Sequence, residues 1–81
     1  MWKEIDNKLY KAFIFKDFSE AFSFITRVAP VSEGLNHHPT WTSTYNCIEI
    51  WLFSHDADII STYIDKQLAD IIDTFLYEYN T

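Results

Sequence analysis

The stretch Thr44-Tyr45-Asn46-Cys47-Ile48-Glu49-Ile50-Trp51-Leu52-Phe53-Ser54 alternates with a period of two. Ile48, Ile50 and Leu52 fall on one side, and Tyr45, Cys47, Glu49, Trp51 and Phe53 on the other. Alternation over this length specifies a half-buried β-strand with a bend or a hairpin partner nearby. The second side is too apolar for open water, because Trp51 and Phe53 stand on it. A contact with another copy of the chain would account for them; two aromatics covering a helix is the plainer alternative.

Upstream, Trp2–Ile5 and Leu9–Phe15 read as two more strands around the turn-prone Asp6-Asn7-Lys8. In the second, Leu9, Lys11, Phe13 and Phe15 share one face, and Tyr10, Ala12 and Ile14 the other. Asp17 with Glu20 three residues on forms a capping box. It opens a helix whose expected apolar face is Phe18, Ala21, Phe22, Ile25, Val28 and Ala29. Pro30 should kink this helix, which is expected to run on to about Asn36. Downstream, Asp56–Ile60 is expected to be a loop. Thr62 with Asp65 reads as a second capping box, opening a helix from about Tyr63 to Tyr79. Its buried face is Ile64, Leu68, Ile71, Ile72, Phe75 and Leu76. A short strand near Trp41 supplies a fourth member to the sheet. The order implies an α+β domain: a four-stranded antiparallel sheet with two α-helices packed on one face.

At 81 residues the chain suits one small domain with a marginal core of its own. Hydrophobic residues at 48% and aromatics at 19% exceed what such a core needs, which points again to burial against another copy. The net charge of −6 is lopsided: residues 41–81 set Lys66 against Glu49, Asp56, Asp58, Asp65, Asp70, Asp73 and Glu78. No basic stripe exists to neutralise phosphates, so direct nucleic-acid binding is excluded. No apolar run reaches the roughly 18 residues of a membrane span. The N-terminus reads as no signal peptide, and the lone Cys47 fits a reducing, cytoplasmic setting.

The chemistry-bearing residues crowd into Glu33-Gly34-Leu35-Asn36-His37-His38-Pro39-Thr40-Trp41 and His55, which together hold all three histidines. Pro39 disfavours the α conformation at His38, so a helix should end here. The partial negative charge of a helix C-terminus favours imidazolium by about 0.3–2 kcal/mol, and an imidazolium can act as a general acid. Three uses compete. Three histidines and Glu33 would be sufficient in kind for zinc, but no His-x-x-x-His pair stands on a helix. Cys47 could be a nucleophile, but it sits mid-strand among apolar neighbours, where a thiol behaves as a small hydrophobe. The third is acid–base catalysis on a small polar ring without metal, with Glu33 holding a donor group and a carboxylate such as Asp65 fixing one imidazole. Taken singly these residues are unremarkable: Trp41 is as easily core, and Asp65 as easily a cap.

Jointly they form a pattern. Glu33-x-x-x-His37-His38-Pro39, followed by Tyr45, His55 and Asp65, resembles the signature of the pterin-4a-carbinolamine dehydratase family. Phe13-x-Phe15-Lys16-Asp17-Phe18-Ser19-Glu20-Ala21-Phe22 is similar to its strand-to-helix junction, and Trp41, Tyr45-Asn46 and Leu68-Ala69-x-x-Ile72-Asp73 also match. The resemblance implies a single domain over residues 1–81, without the N-terminal helix that gives the family three helices. It implies loss of water from 4a-hydroxytetrahydrobiopterin to give quinonoid dihydropterin in tetrahydrobiopterin recycling, with no metal and no cofactor. The implied catalytic set is His37, His55, His38 and Asp65. His37 and His55 would be the acids, His38 would bind and orient, and Asp65 would support the cluster. Glu33, His38, Asn36, Pro39, Trp41 and Ser54 are the implied substrate contacts. The implied partners are the pterin and further copies in a homodimer or homotetramer, in the cytoplasm with the nucleus as a second compartment. The alternative from another class is a non-catalytic interaction protein, a dimerisation cofactor of a transcription factor.

Overall fold

The computed structural model describes residues 1–53 and 59–76, with side chains from 63 onward in the second segment. Six elements follow in the order β1 (Lys3–Ile5), β2 (Lys8–Ile14), α1 (Phe18–Gly34), β3 (Thr40–Thr44), β4 (Cys47–Leu52) and α2 (Ile59–Leu76). The strands form one antiparallel sheet in the order β1-β2-β4-β3. The expected α+β fold, with two helices on one face of four strands, is the fold observed.

Two tight hairpins set the sheet. Ile5 pairs with Lys8 across Asp6 and Asn7, whose φ values of 52° and 64° are both left-handed. Two positive φ angles define the type I′ turn that suits the twist of flanking strands, and Asp and Asn tolerate it well. Thr44 pairs with Cys47 across Tyr45, also at φ 52°, and Asn46. The expected strand from Thr44 to Ser54 is therefore split at its start, and its first residue closes β3. Asn46 also locks this corner to β2: its backbone carbonyl accepts from the Phe15 N–H at 2.8 Å, and its Nδ2 donates to the Phe15 carbonyl at 2.9 Å.

The strand alternation reads as expected: Ile48, Ile50 and Leu52 are completely buried under the helices with Phe13 and Phe15. Trp51 stands on the opposite face, which neither described helix covers, and this disfavours the alternative that it packs on a helix. There it packs on the Tyr10 ring at 5.3 Å between centroids, and Lys8 Nζ sits 4.9 Å over Phe53. The Tyr10 hydroxyl donates to Glu49 Oε2 at 2.6 Å, and that hydrogen bond raises the phenol above its ordinary pKa. Thr42 Oγ1 donates to the other Glu49 oxygen at 3.1 Å, which ties three strands together.

Both helices correct the expectation. The buried stripe of α1 is Ala21, Phe24, Ile25, Val28 and Ser32, while Phe18 and Phe22 are half exposed and stack on each other 6.0 Å apart. Apolar residues lie on most sides of this helix, so periodicity alone does not choose its phase. The receptacle does, because Phe24 fits between the rings of Phe13 and Phe15 at 5.1 and 4.9 Å. Asp17 caps as expected, accepting from the Glu20 N–H at 2.9 Å, although Glu20 reaches back to the Lys16 N–H rather than to that of Asp17. The helix runs through Pro30, which is exposed, so the carbonyl left without its N–H can face water.

In α2 the helix starts at Ile59, earlier than Tyr63, so Thr62 and Asp65 are not a cap. Asp65 lies inside the helix, buried beside Leu68, Ala69 and Ile72. The expected Asp56–Ile60 loop and the helix end near Tyr79 fall largely outside the described residues.

Helix α1 ends by a backbone device, not by Pro39. The Asn36 N–H bonds the Glu33 carbonyl and the His37 N–H bonds the Ser32 carbonyl, both at 3.0 Å, with Asn36 at φ 52°. This is a Schellman closure with Asn36 in its left-handed position. Asn36→Ala is expected to cost about 1 kcal/mol, because Ala lacks the short polar side chain that lets Asn tolerate the left-handed region, and Asn36→Gly much less. Urea midpoints of the two variants check this; equal losses would show that the Asn36 side chain, not its backbone angle, matters.

Candidate active site

The same closure aims the histidines. It turns the chain sharply at the C-terminus of α1, so that His37 and His38, adjacent in sequence, leave in different directions. The His37 side chain is 13% exposed and its Nε2 meets Asp65 Oδ1 on α2. Of the ring's two nitrogens, Asp65 thus holds one as a donor and leaves Nδ1 as the one able to exchange a proton with a ligand. The His38 side chain is 60% exposed, and its Nε2 lies 2.9 Å from Glu33 Oε1, itself 77% exposed. Exposed ion pairs contribute only about 0.2–1 kcal/mol, so a polar ligand can displace this one at little cost. One imidazole is fixed and the other available.

Pro39 is half-buried and leads into β3. Trp41 is opposite Ile50 in the register, which puts it on the helix side of the sheet at its edge, 39% exposed. It is neither core nor fully free, and its indole is offered beside the strand that follows the two histidines. Asn36 has the backbone role given above and is exposed. Ser54 and His55 lie outside the described residues. Of the expected set, then, the structure brings together His37 with Asp65 and His38 with Glu33. Among the described residues no group of three or more His, Cys, Asp or Glu side chains is placed to hold a metal ion, and no helix is long and apolar enough to cross a membrane. Cys47 is half-buried on the helix-free face, away from the side that carries Trp41.

This chain matches the family model described as Pterin 4 alpha carbinolamine dehydratase over residues 1–75. It belongs to that family. Candidate dehydratases of the family in Prochlorococcus marinus and in a Synechococcus strain are 47% and 46% identical to it, over 95% and 89% of this chain and 79% and 76% of theirs. A crystal structure from Brucella melitensis, described as a transcriptional coactivator/pterin dehydratase, superposes with a TM-score of 0.69 at 30% identity. The match covers 88% of this chain and 81% of that one. The pterin dehydratase match thus includes every described element up to Phe75.

Sequence reasoning missed one set of partners. Asp73, singled out only as part of a motif, accepts at Oδ1 from Trp2 Nε1 at 3.0 Å and from Lys11 Nζ at 2.9 Å. Lys11 on the inward face of β2 was the available signal, since a buried ammonium needs an acid across from it.

Proposed function

We propose that this chain is a 4a-hydroxytetrahydrobiopterin dehydratase, a hydro-lyase acting in tetrahydrobiopterin recycling. The observation that carries the reading is the pairing of a sheltered His37–Asp65 dyad with an exposed His38–Glu33 pair at one helix end, in a chain of the dehydratase family. The reaction breaks the C4a–O bond. An imidazolium hands its proton to the departing hydroxyl, a ring N–H gives up a proton, and water and quinonoid dihydropterin result without oxidation. Hydroxide leaves poorly, and a placed general acid contributes about 10²–10⁴-fold. His37 and His55 are the proposed acids. Asp65 fixes the His37 ring, and His38 with Glu33 binds the polar edge of the pterin, with Asn36, Pro39, Trp41 and Ser54 as further contacts. No metal or organic cofactor enters this scheme. The domain is proposed to be residues 1–81, in the cytoplasm and with the nucleus as a second compartment.

The test is dehydration of freshly generated 4a-hydroxytetrahydropterin by protein dialysed against chelator. Acceleration over the spontaneous reaction, undiminished by dialysis, is expected. Loss of activity with the metal and its return on adding zinc would sink the metal-free scheme. A homodimer or homotetramer is also proposed, from Trp51, Tyr10 and the 70% exposed Ile14 on the helix-free face. Sedimentation at micromolar concentration should read more than one chain, and an active monomer would remove that argument. The second reading, a cofactor of transcription-factor dimerisation, draws on the exposed Phe18–Phe22 stack and on the Brucella protein's description. A chain that binds such a factor but never accelerates dehydration would favour it.

A further inference from the structure

The His37–Asp65 contact joins the chain just past the end of α1 to the interior of α2, so its geometry depends on where α2 sits along and around its axis. Past Asp65 the packing of α2 is mainly apolar, with Leu68, Ala69 and Ile72 in the core, Phe75 and Leu76 packed against it, and the Arg27 guanidinium 4.5 Å over the Phe75 ring. Apolar burial is non-directional and tolerates sliding. A hydrogen-bonded contact with the sheet comes about 12 Å beyond Asp65, eight residues at the helical rise. There Asp73 Oδ1 receives both Trp2 Nε1 and Lys11 Nζ, at 3.0 and 2.9 Å. Those donors are themselves fixed. Trp2 packs edge-on against Phe13, 5.8 Å between centroids, and Lys11 Nζ lies 5.2 Å from the Phe13 centroid and 6.0 Å from that of Trp2. Lys11 is only 16% exposed, against 37% for Asp73. One carboxylate oxygen thus pins the C-terminal half of α2 to β2 and to the chain start.

We infer that Asp73 is a positioning residue: with Trp2 and Lys11 it sets the placement of α2 that lets Asp65 hold the His37 ring. It touches no substrate and acts only through that ring. The kinetic part of the test rests on the function proposed above; the spectroscopic part does not.

The experiment compares Asp73→Ala, Asp73→Asn and, as control on the same helix, the exposed Asp70→Ala, in full-length protein labelled with ¹⁵N. Asp73→Ala is expected to shift the Trp2 indole N–H and to change the tautomer signature of His37 while leaving that of His38 in place. Turnover should fall about 10-fold with KM little changed, in keeping with the roughly 10²-fold that a full 1 Å misplacement can cost. Asp73→Asn keeps an acceptor for Trp2 and should recover most of the turnover and the His37 signature; Asp70→Ala should match wild type. A folded Asp73→Ala whose His37 signature is unchanged overturns the inference. A changed signature with undiminished turnover upholds the positioning role and instead refutes His37 as the acid. If Asp73→Ala does not fold, Trp2→Phe combined with Lys11→Met decides, since it leaves an aromatic ring beside Phe13 and removes both donors to Asp73. An unaltered His37 signature there overturns the inference equally.

Discussion

His37→Ala combined with His55→Ala is expected to remove most of the dehydratase turnover, a loss of about 10²–10⁴-fold, with the fold intact. Each single substitution should cost at least ~10-fold, the low side of what one general acid contributes. The C4a hydroxyl can stand on either face of the pterin. Two acids reaching the ring from different parts of the chain, one after α1 and one after β4, could serve both faces, so the double variant should lose far more than either single. His38→Ala should behave differently. Its imidazole is exposed and, among the described residues, paired with the exposed Glu33, so removing it takes away a contact common to ground and transition states, which raises KM and spares kcat. Steady-state kinetics on the four proteins, with folding followed by circular dichroism, provide the check. Near-wild-type turnover in a folded double variant would refute the acid assignment.

The different fates of His37 and His38 show what was legible in the sequence. That adjacent residues diverge follows from backbone geometry, and the family pattern attached Asp65 to the cluster. Which histidine turns inward does not follow from either. It is decided by the Schellman closure at Asn36, whose two hydrogen bonds fix the exit of the chain, and by an α2 that begins at Ile59 and so carries Asp65 inside the helix. The capping reading of Thr62 and Asp65 failed because a capping box and a buried carboxylate awaiting an imidazole look alike in one dimension. The strand at Cys47–Leu52 was readable residue by residue, since a period of two leaves only two faces and one of them held Ile48, Ile50 and Leu52. The sheet order was not legible: the sequence predicts a short strand near Trp41, but Thr40–Thr44 is a fully exposed edge strand with no alternation to place it beside β4.

The phase of α1 is the sharpest disagreement, and it can be decided by stability alone. Phe24 is wholly buried between Phe13 and Phe15, whereas Phe22, two residues earlier, is 53% exposed. Truncating a buried Phe removes its transfer energy and leaves a cavity, for about 3–5 kcal/mol. A chain of this length has about 4–12 kcal/mol in total, at roughly 0.05–0.15 kcal/mol per residue. Phe24→Ala should therefore forfeit about a quarter or more of the stability and lower Tm by on the order of 20 °C. Phe22→Ala should stay within about 0.5 kcal/mol of wild type, as surface changes do. The two are to be compared by urea and thermal unfolding at one low protein concentration, because a self-associating chain ties its midpoint to concentration. The phase expected from periodicity, with Phe22 inward and Phe24 outside the stripe, makes the opposite ranking. A Phe22→Ala loss equal to or above that of Phe24→Ala would restore it and would require α1 to be rotated on the sheet.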